Sequence, residues 1–165
     1  NVRIPASRRV GAEGDVFRFA MAGLDGGRLN IAACSLGGMQ DALNRALAYT
    51  KERRQFGQAI ADFQASQFKL ADMETETQAA RMMLYAAAKE LDAKTPMATR
   101  WCAMAKRFVT DTGFKVANDA LQLHGGYGYL SDYPIERIAR DVRVTQIYEG
   151  TTEIQKMVIS RELLR

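Results

Sequence analysis

Leu70-Ala71-Asp72-Met73-Glu74-Thr75-Glu76-Thr77-Gln78-Ala79-Ala80-Arg81-Met82-Met83-Leu84-Tyr85-Ala86-Ala87-Ala88-Lys89-Glu90-Leu91 is the stretch that decides the fold class. Leu70, Met73, Thr77, Ala80, Leu84, Ala87 and Leu91 recur at alternating three- and four-residue steps, the period of one helix face. A second stripe runs beside it through Phe68, Ala71, Thr75, Ala79, Met82 and Ala86. A helix apolar on two sides is expected to be buried on two sides. Asp62 can begin this helix, and Asp92-Ala93-Lys94 ends it.

The same period continues on either side. Downstream, Thr95-Pro96 offers a capping hydroxyl followed by a proline at the first helical position. Ala98, Trp101, Ala105, Phe108, Val109, Thr112, Val116, Ala120 and Leu123 then predict a third long helix, which Gly125-Gly126 stops. Pro134 can open a short helix through Ile135, Ile138 and Val142, and a last helix runs from about Thr151 to Leu164. Upstream, Leu29, Ala32, Ala33, Leu36, Leu43, Ala46 and Leu47 predict a helix from about Leu24 to Arg54. Gly37-Gly38 inside it costs about 1 kcal/mol per glycine relative to alanine, which suggests close approach of another backbone. Long helices with short connections give an all-α, up-down-up-down four-helix bundle with a short extra helix over residues 23–165. Residues 1–22 have another character. Val2 and Ile4 alternate with polar residues before Pro5, Gly11 and Gly14, like the last strand and exit loop of a β domain. Together with the start at Asn1, this predicts a piece of a longer protein.

Composition excludes several classes. Hydrophobic residues make up 47% and charged residues 25%, the balance of a globular domain able to bury a core. The net charge of +4 comes from 23 basic and 19 acidic side chains that alternate without forming a stripe, which argues against a nucleic-acid partner. No apolar run is long enough to span a bilayer, and no signal-peptide pattern is visible. Cys34 and Cys102 lie far apart in apolar surroundings and read as reduced core thiols. One histidine and no Cys-x-x-Cys leave no recognisable metal set.

Five local features can carry chemistry. Glu149, between Tyr148 and Gly150, precedes a helix that Thr151 or Thr152 can cap; it is either a tuned base or a solvated loop acid. His124-Gly125-Gly126-Tyr127-Gly128-Tyr129 can hold an anion on successive amides, or simply end a helix. It is not a dinucleotide fingerprint, because a helix precedes it. Arg53-Arg54-Gln55-Phe56-Gly57 either complements a helix dipole or clamps phosphate. Asp25-Gly26-Gly27-Arg28 reads as a helix start, with Asp25 as N-cap and Arg28 opposing the dipole. Arg161 is either a surface residue or an anion partner on the last helix.

These features occur in order, and the chain resembles the C-terminal part of the acyl-CoA dehydrogenases, closest to the isobutyryl-CoA and other short or branched-chain members. The resemblance rests on Arg53-Arg54-Gln55-Phe56-Gly57, Gln122-Leu123-His124-Gly125-Gly126-Tyr127-Gly128-Tyr129, Arg140-Asp141 and Ile147-Tyr148-Glu149-Gly150-Thr151. It implies an FAD enzyme whose C-terminal four-helix bundle is this chain, with residues 1–22 closing the central β domain. It implies that Glu149 is the base that takes the α-proton of an acyl thioester, and that backbone amide 149 binds the thioester carbonyl. Arg53, Phe56, Phe63, Gln64, Gln122, Leu123, His124, Gly125, Gly126, Thr151, Thr152 and Glu153 match FAD-contacting positions. Asp25, Gly26, Gly27, Arg28 and Arg161 match substrate-contacting positions. Some members carry their base just before the residue matching Arg28; here that place is Gly27. The resemblance further implies an acyl-CoA substrate, electron-transfer flavoprotein as acceptor, a homotetramer, and a bacterial cytoplasmic or mitochondrial matrix setting. It implies that the isolated chain is inactive. The alternative is a non-catalytic assembly or binding module of the same fold.

Overall fold

The computed structural model describes all of residues 1–165. Five α-helices carry the chain: α1 (Val16–Glu52), α2 (Gln64–Asp92), α3 (Ala98–His124), α4 (Ile135–Thr145) and α5 (Thr152–Leu163). A small antiparallel hairpin of β1 (Arg54–Gln55) and β2 (Gln58–Ala59) links α1 to α2. The side-chain bonds give the directions. Ser35 reaches Val109 and Thr99 reaches Asp25, so α1 and α3 run parallel at a constant offset of 74 residues. Arg81 bonds Gln40, Lys69 pairs with Asp119, and Lys115 with Glu76, so α2 runs antiparallel to both. The three long helices thus run up, down and up, as the first three of the expected up-down-up-down bundle, with α4 packed on α1 and α3 and α5 packed on α3.

Small residues set how closely these helices approach. Ala32, Ala42, Ala46, Ala80, Ala87, Ala105, Ala117 and Ala120 are fully buried among Met39, Leu43, Met73, Val109 and Val116. Alanine at a helix contact shortens the interaxial distance. Buried Thr50, Thr77 and Thr110 each donate to the carbonyl four residues back, so no hydroxyl is left unpaired. The glycine pair in α1 has a different use from the one expected. A Cβ at Gly38 would sit 2.6 Å from Val142 Cγ2, while Gly37 faces open space. On α3, Gly113 leaves room for Ser35 and Val142. Gly38 and Gly113 thus form a notch that receives a side chain of α4, not a backbone. Seating Val142 there fixes α4 and, through it, the turn carrying Glu149.

Several other expectations are corrected. Residues 1–22 contain no strand; a short 3-10 turn covers Ala6–Arg8, and α1 begins at Val16, not near Leu24. Asp25 is therefore not an N-cap, and Arg28 lies well inside the helix, where the terminal dipole is spent. α3 starts at Ala98, with Met97 at the cap position; the Thr95 hydroxyl accepts from Met97 N at 3.3 Å, two residues ahead of the cap. The second stripe of α2 is exposed, with Phe68 and Met82 open to solvent, because α2 packs only on α1 and α3. Cys34 is exposed; only Cys102 is a core thiol. The β1–β2 hairpin was hidden in a cation-aromatic phrase. Its two-residue turn, Phe56-Gly57, has φ of 53° and 84°, the positive pair of a type I′ hairpin. No helix is long and apolar enough to cross a membrane.

Candidate active site around Glu149

Glu149 lies in the turn between α4 and α5, and its own backbone is unusual. Its φ is 56°, followed by 89° at Gly150. A left-handed glutamate costs roughly 1 kcal/mol or more and persists only where its surroundings hold it. The surroundings here are specific. The Gln155 side-chain amide donates to Glu149 O at 3.2 Å and to Gly150 O at 3.0 Å. Lys106 Nζ, on a wholly buried side chain, donates to Gly150 O at 2.7 Å. The φ at Gly150 suits glycine, and a Cβ there would lie 2.7 Å from Gln155 Nε2 and disturb this tether. Downstream, Thr151 caps α5 by accepting from Ile154 N at 3.4 Å.

The turn delivers the carboxylate to α1. Glu149 Oε2 is 2.6 Å from the point a Cβ on Gly27 would occupy. The two positions singled out in the sequence as alternative sites for a carboxylate therefore face each other. Next to them Arg28 is buried, paired through Nη1 with Asp25 Oδ1 at 2.6 Å, while Thr99 donates to Asp25 Oδ2 at 2.7 Å. Arg28 Nε is buried without a partner. Glu149 is nonetheless an exposed residue.

Burial pushes the Cys102 thiol up to about 11; the nearby Asp25 carboxylate adds to the rise, and the Arg28 cation opposes it. A raised folded-state value means the native thiol stays protonated where the unfolded one ionises. Stability linked to Cys102 is therefore full below about pH 9 and lost as pH climbs through 9 to 11, by about 3 kcal/mol in total. Denaturant unfolding at about pH 8 and about pH 11 checks this: the alkaline loss is expected to shrink by that amount in Cys102→Ala.

Two further clusters lie elsewhere on the domain, one at the C-terminal end of α1 and one beside the Glu149 turn. In the first, Arg53 lies over the Tyr127 ring at 5.1 Å and joins Tyr49, Gln122, Leu123, His124, Gly125 and Gly126 around a cleft of about 390 Å³. Gly125, at φ 59°, and Gly126 have nothing within 4 Å of a would-be Cβ, so their backbone is bare toward open space. A guanidinium beside bare glycine backbone fits a phosphate-bearing group. His124 is held inside the wall of this cleft: it is buried, stacks on Tyr49 at 4.3 Å, and its Nδ1 lies 2.7 Å from Ala120 O. These contacts make His124 part of the packed wall. In the second cluster, Thr152 and Gln146 both donate to Asp111 Oδ1, at 3.0 and 2.7 Å. Glu153 is held below the usual carboxylate range by its own backbone amide at the helix start and by the Thr151 hydroxyl.

Not every anticipated residue joins these clusters. Phe56 and Phe63 meet each other edge-to-face at 6.3 Å on the hairpin, with Phe56 94% exposed and Gln64 at the exposed start of α2. Arg161 is exposed and pairs with its neighbour Glu162. Conversely, Lys106, Gln155 and Asp111 were passed over in the sequence. Lys106 had a signal: it sits four residues after Cys102 and three before Val109, a lysine inside an apolar stripe.

With this geometry in hand, the comparisons with known proteins decide the relationship. The family profile described as acyl-CoA dehydrogenase, C-terminal domain, matches residues 14–164. The chain belongs to the acyl-CoA dehydrogenase family. It is 53% identical to the mitochondrial isobutyryl-CoA dehydrogenase of Dictyostelium discoideum, over 98% of this chain and 39% of that protein. It is 49% identical to an acyl-CoA dehydrogenase of Bacillus subtilis, over 99% of this chain and 43% of the relative. The butyryl-CoA dehydrogenase of Megasphaera elsdenii has the same fold, with a TM-score of 0.94 at 45% identity, covering 98% of this chain and 42% of that one. The chain thus spans about two fifths of the length of these acyl-CoA dehydrogenases.

Proposed function

We propose that this chain is the helical domain of an FAD-dependent dehydrogenase acting on a short or branched acyl-CoA thioester, with the 2-enoyl-CoA as product. The observation that carries this reading is the meeting of Glu149 and Gly27. A carboxylate held in a strained turn is directed at a place where a helix has given up its side chain. Such an arrangement suits a base that must reach one carbon atom and nothing else.

In this reading Glu149 takes the α-proton, and the amide of residue 149 donates to the thioester oxygen as negative charge grows there. Gly27 keeps the space beside the carboxylate open, while the Asp25–Arg28 pair shapes the corner where the acyl group ends. FAD, when bound, supplies the acceptor for the β-hydride. Gln122 with Leu123 and the bare glycines 125 and 126 would hold its pyrophosphate and adenine side. Thr151, Thr152 and Glu153 would contact it beyond the base, and Arg53, Phe56, Phe63 and Gln64 would hold FAD across a subunit boundary. The exposed Phe68 and Met82 stripe on α2 supports assembly through the bundle as a homotetramer. Residues 1–15, ahead of α1, would lead in from a preceding β domain, Arg161 would contact substrate, and electron-transfer flavoprotein would accept the electrons, in the bacterial cytoplasm or mitochondrial matrix.

The 165 residues alone lack the β-domain wall of the flavin site in this reading. Titration of this chain with FAD is expected to give no tight stoichiometric binding and no turnover, whereas the complete protein spanning it binds FAD and oxidises short acyl-CoA thioesters. Tight binding by the 165 residues, or a complete protein inert toward every short acyl-CoA with an artificial acceptor, would overturn the assignment.

A further inference from the structure

Lys106 is fully buried and no part of the proposed reaction calls on it. It enters the site region from α3, not from the turn that bears the base. Its ammonium donates to Gly150 O at 2.7 Å, and the Gln155 amide donates to the same oxygen at 3.0 Å and to Glu149 O at 3.2 Å. Two consecutive carbonyls of a left-handed turn are thus turned inward and tied down from α3 and α5. The charged groups facing Lys106 are Asp111 on its own helix, Glu149 in the turn and Arg28 on α1. Burial lowers the lysine's proton affinity, while Asp111 and Glu149 pull it back up. A lysine costs free energy in such a place unless its charge is used.

We propose that Lys106 is the positioning residue for Glu149: by holding Gly150 O it locks the left-handed backbone at residue 149 and so fixes where the carboxylate stands against Gly27. Gln155 is the second tether of the same turn. The inference rests on the proposed role of Glu149 and deepens it. With the ammonium removed, Gly150 O keeps one of its two partners, the turn can relax out of φ 56°, and the carboxylate swings away from Gly27. Neither tether touches substrate, so binding should survive while proton removal slows.

The test uses Lys106→Met in the complete flavoprotein, with rates expressed per bound flavin. kcat is expected to fall about 100-fold with KM within about threefold, the loss that roughly 1 Å of misplacement brings. The kinetic isotope effect with α-deuterated acyl-CoA should rise, because proton removal becomes more limiting. A merely structural lysine would lower the yield of flavin-loaded protein and leave kcat per flavin and the isotope effect unchanged; that result would overturn the proposal. If Lys106→Met does not assemble, Gln155→Met is read by the same two quantities, and parental values there overturn it equally. An inactive Glu149→Gln beside a fully active Lys106→Met sinks the Lys106 inference alone. An active Glu149→Gln removes the base itself, and the inference with it.

Discussion

Glu149→Gln in the complete flavoprotein is expected to lower dehydrogenase turnover by about 10²–10⁴-fold, the usual contribution of a positioned general base. The amide is isosteric, so the turn should keep its shape. The Glu149 and Gly150 carbonyls remain tied to Gln155 and Lys106 whatever stands at the side chain. The residues proposed to hold the cofactor's phosphates lie in a separate cleft, so flavin content should be unchanged, as should thermal stability. What disappears is the only carboxylate directed at the Gly27 corner. Steady-state assays with an artificial acceptor, normalised to flavin absorbance, separate lost chemistry from lost cofactor.

Gly27→Ala is the second large effect, and it splits activity from stability. A Cβ at residue 27 would lie 2.6 Å from Glu149 Oε2, well inside ordinary contact, so the carboxylate has to retreat by most of an ångström. A displacement of that order costs about 100-fold in rate. The obstructing atom is the end of a flexible side chain, so the fold can absorb the change. Gly27 also lies inside α1, where alanine is favoured over glycine by about 1 kcal/mol. The variant is expected to melt at or above the parental temperature while kcat falls about 100-fold. A variant with parental kcat would show that the Glu149–Gly27 contact does not set the reaction geometry.

The periodic stretches were legible because a helix face writes itself in the sequence. Met73, Thr77, Ala80, Leu84 and Ala87 are the buried residues of α2, as their spacing requires. Its second stripe is equally regular, yet Phe68 and Met82 are exposed, because a pattern states that a face is apolar and not what covers it. The Gly38–Val142 and Gly27–Glu149 contacts were out of reach for a different reason. Each joins residues over a hundred positions apart, and only the packed helices reveal which side chain fills the missing Cβ. The hairpin escaped because Phe56 takes a positive φ that ordinarily signals asparagine or glycine. Lys106 escaped because one polar residue in an apolar stripe is easily passed over, although a buried charge is where function is worth seeking.

Removal of the α-proton by Glu149 is tested in a single turnover, without interference from the acceptor. The complete protein carrying Glu149→Gln is mixed anaerobically with isobutyryl-CoA and the visible absorbance of its flavin is followed. The thioester is expected to bind while the flavin stays oxidised on the timescale in which the parent bleaches. Bleaching at the parental rate would contradict it.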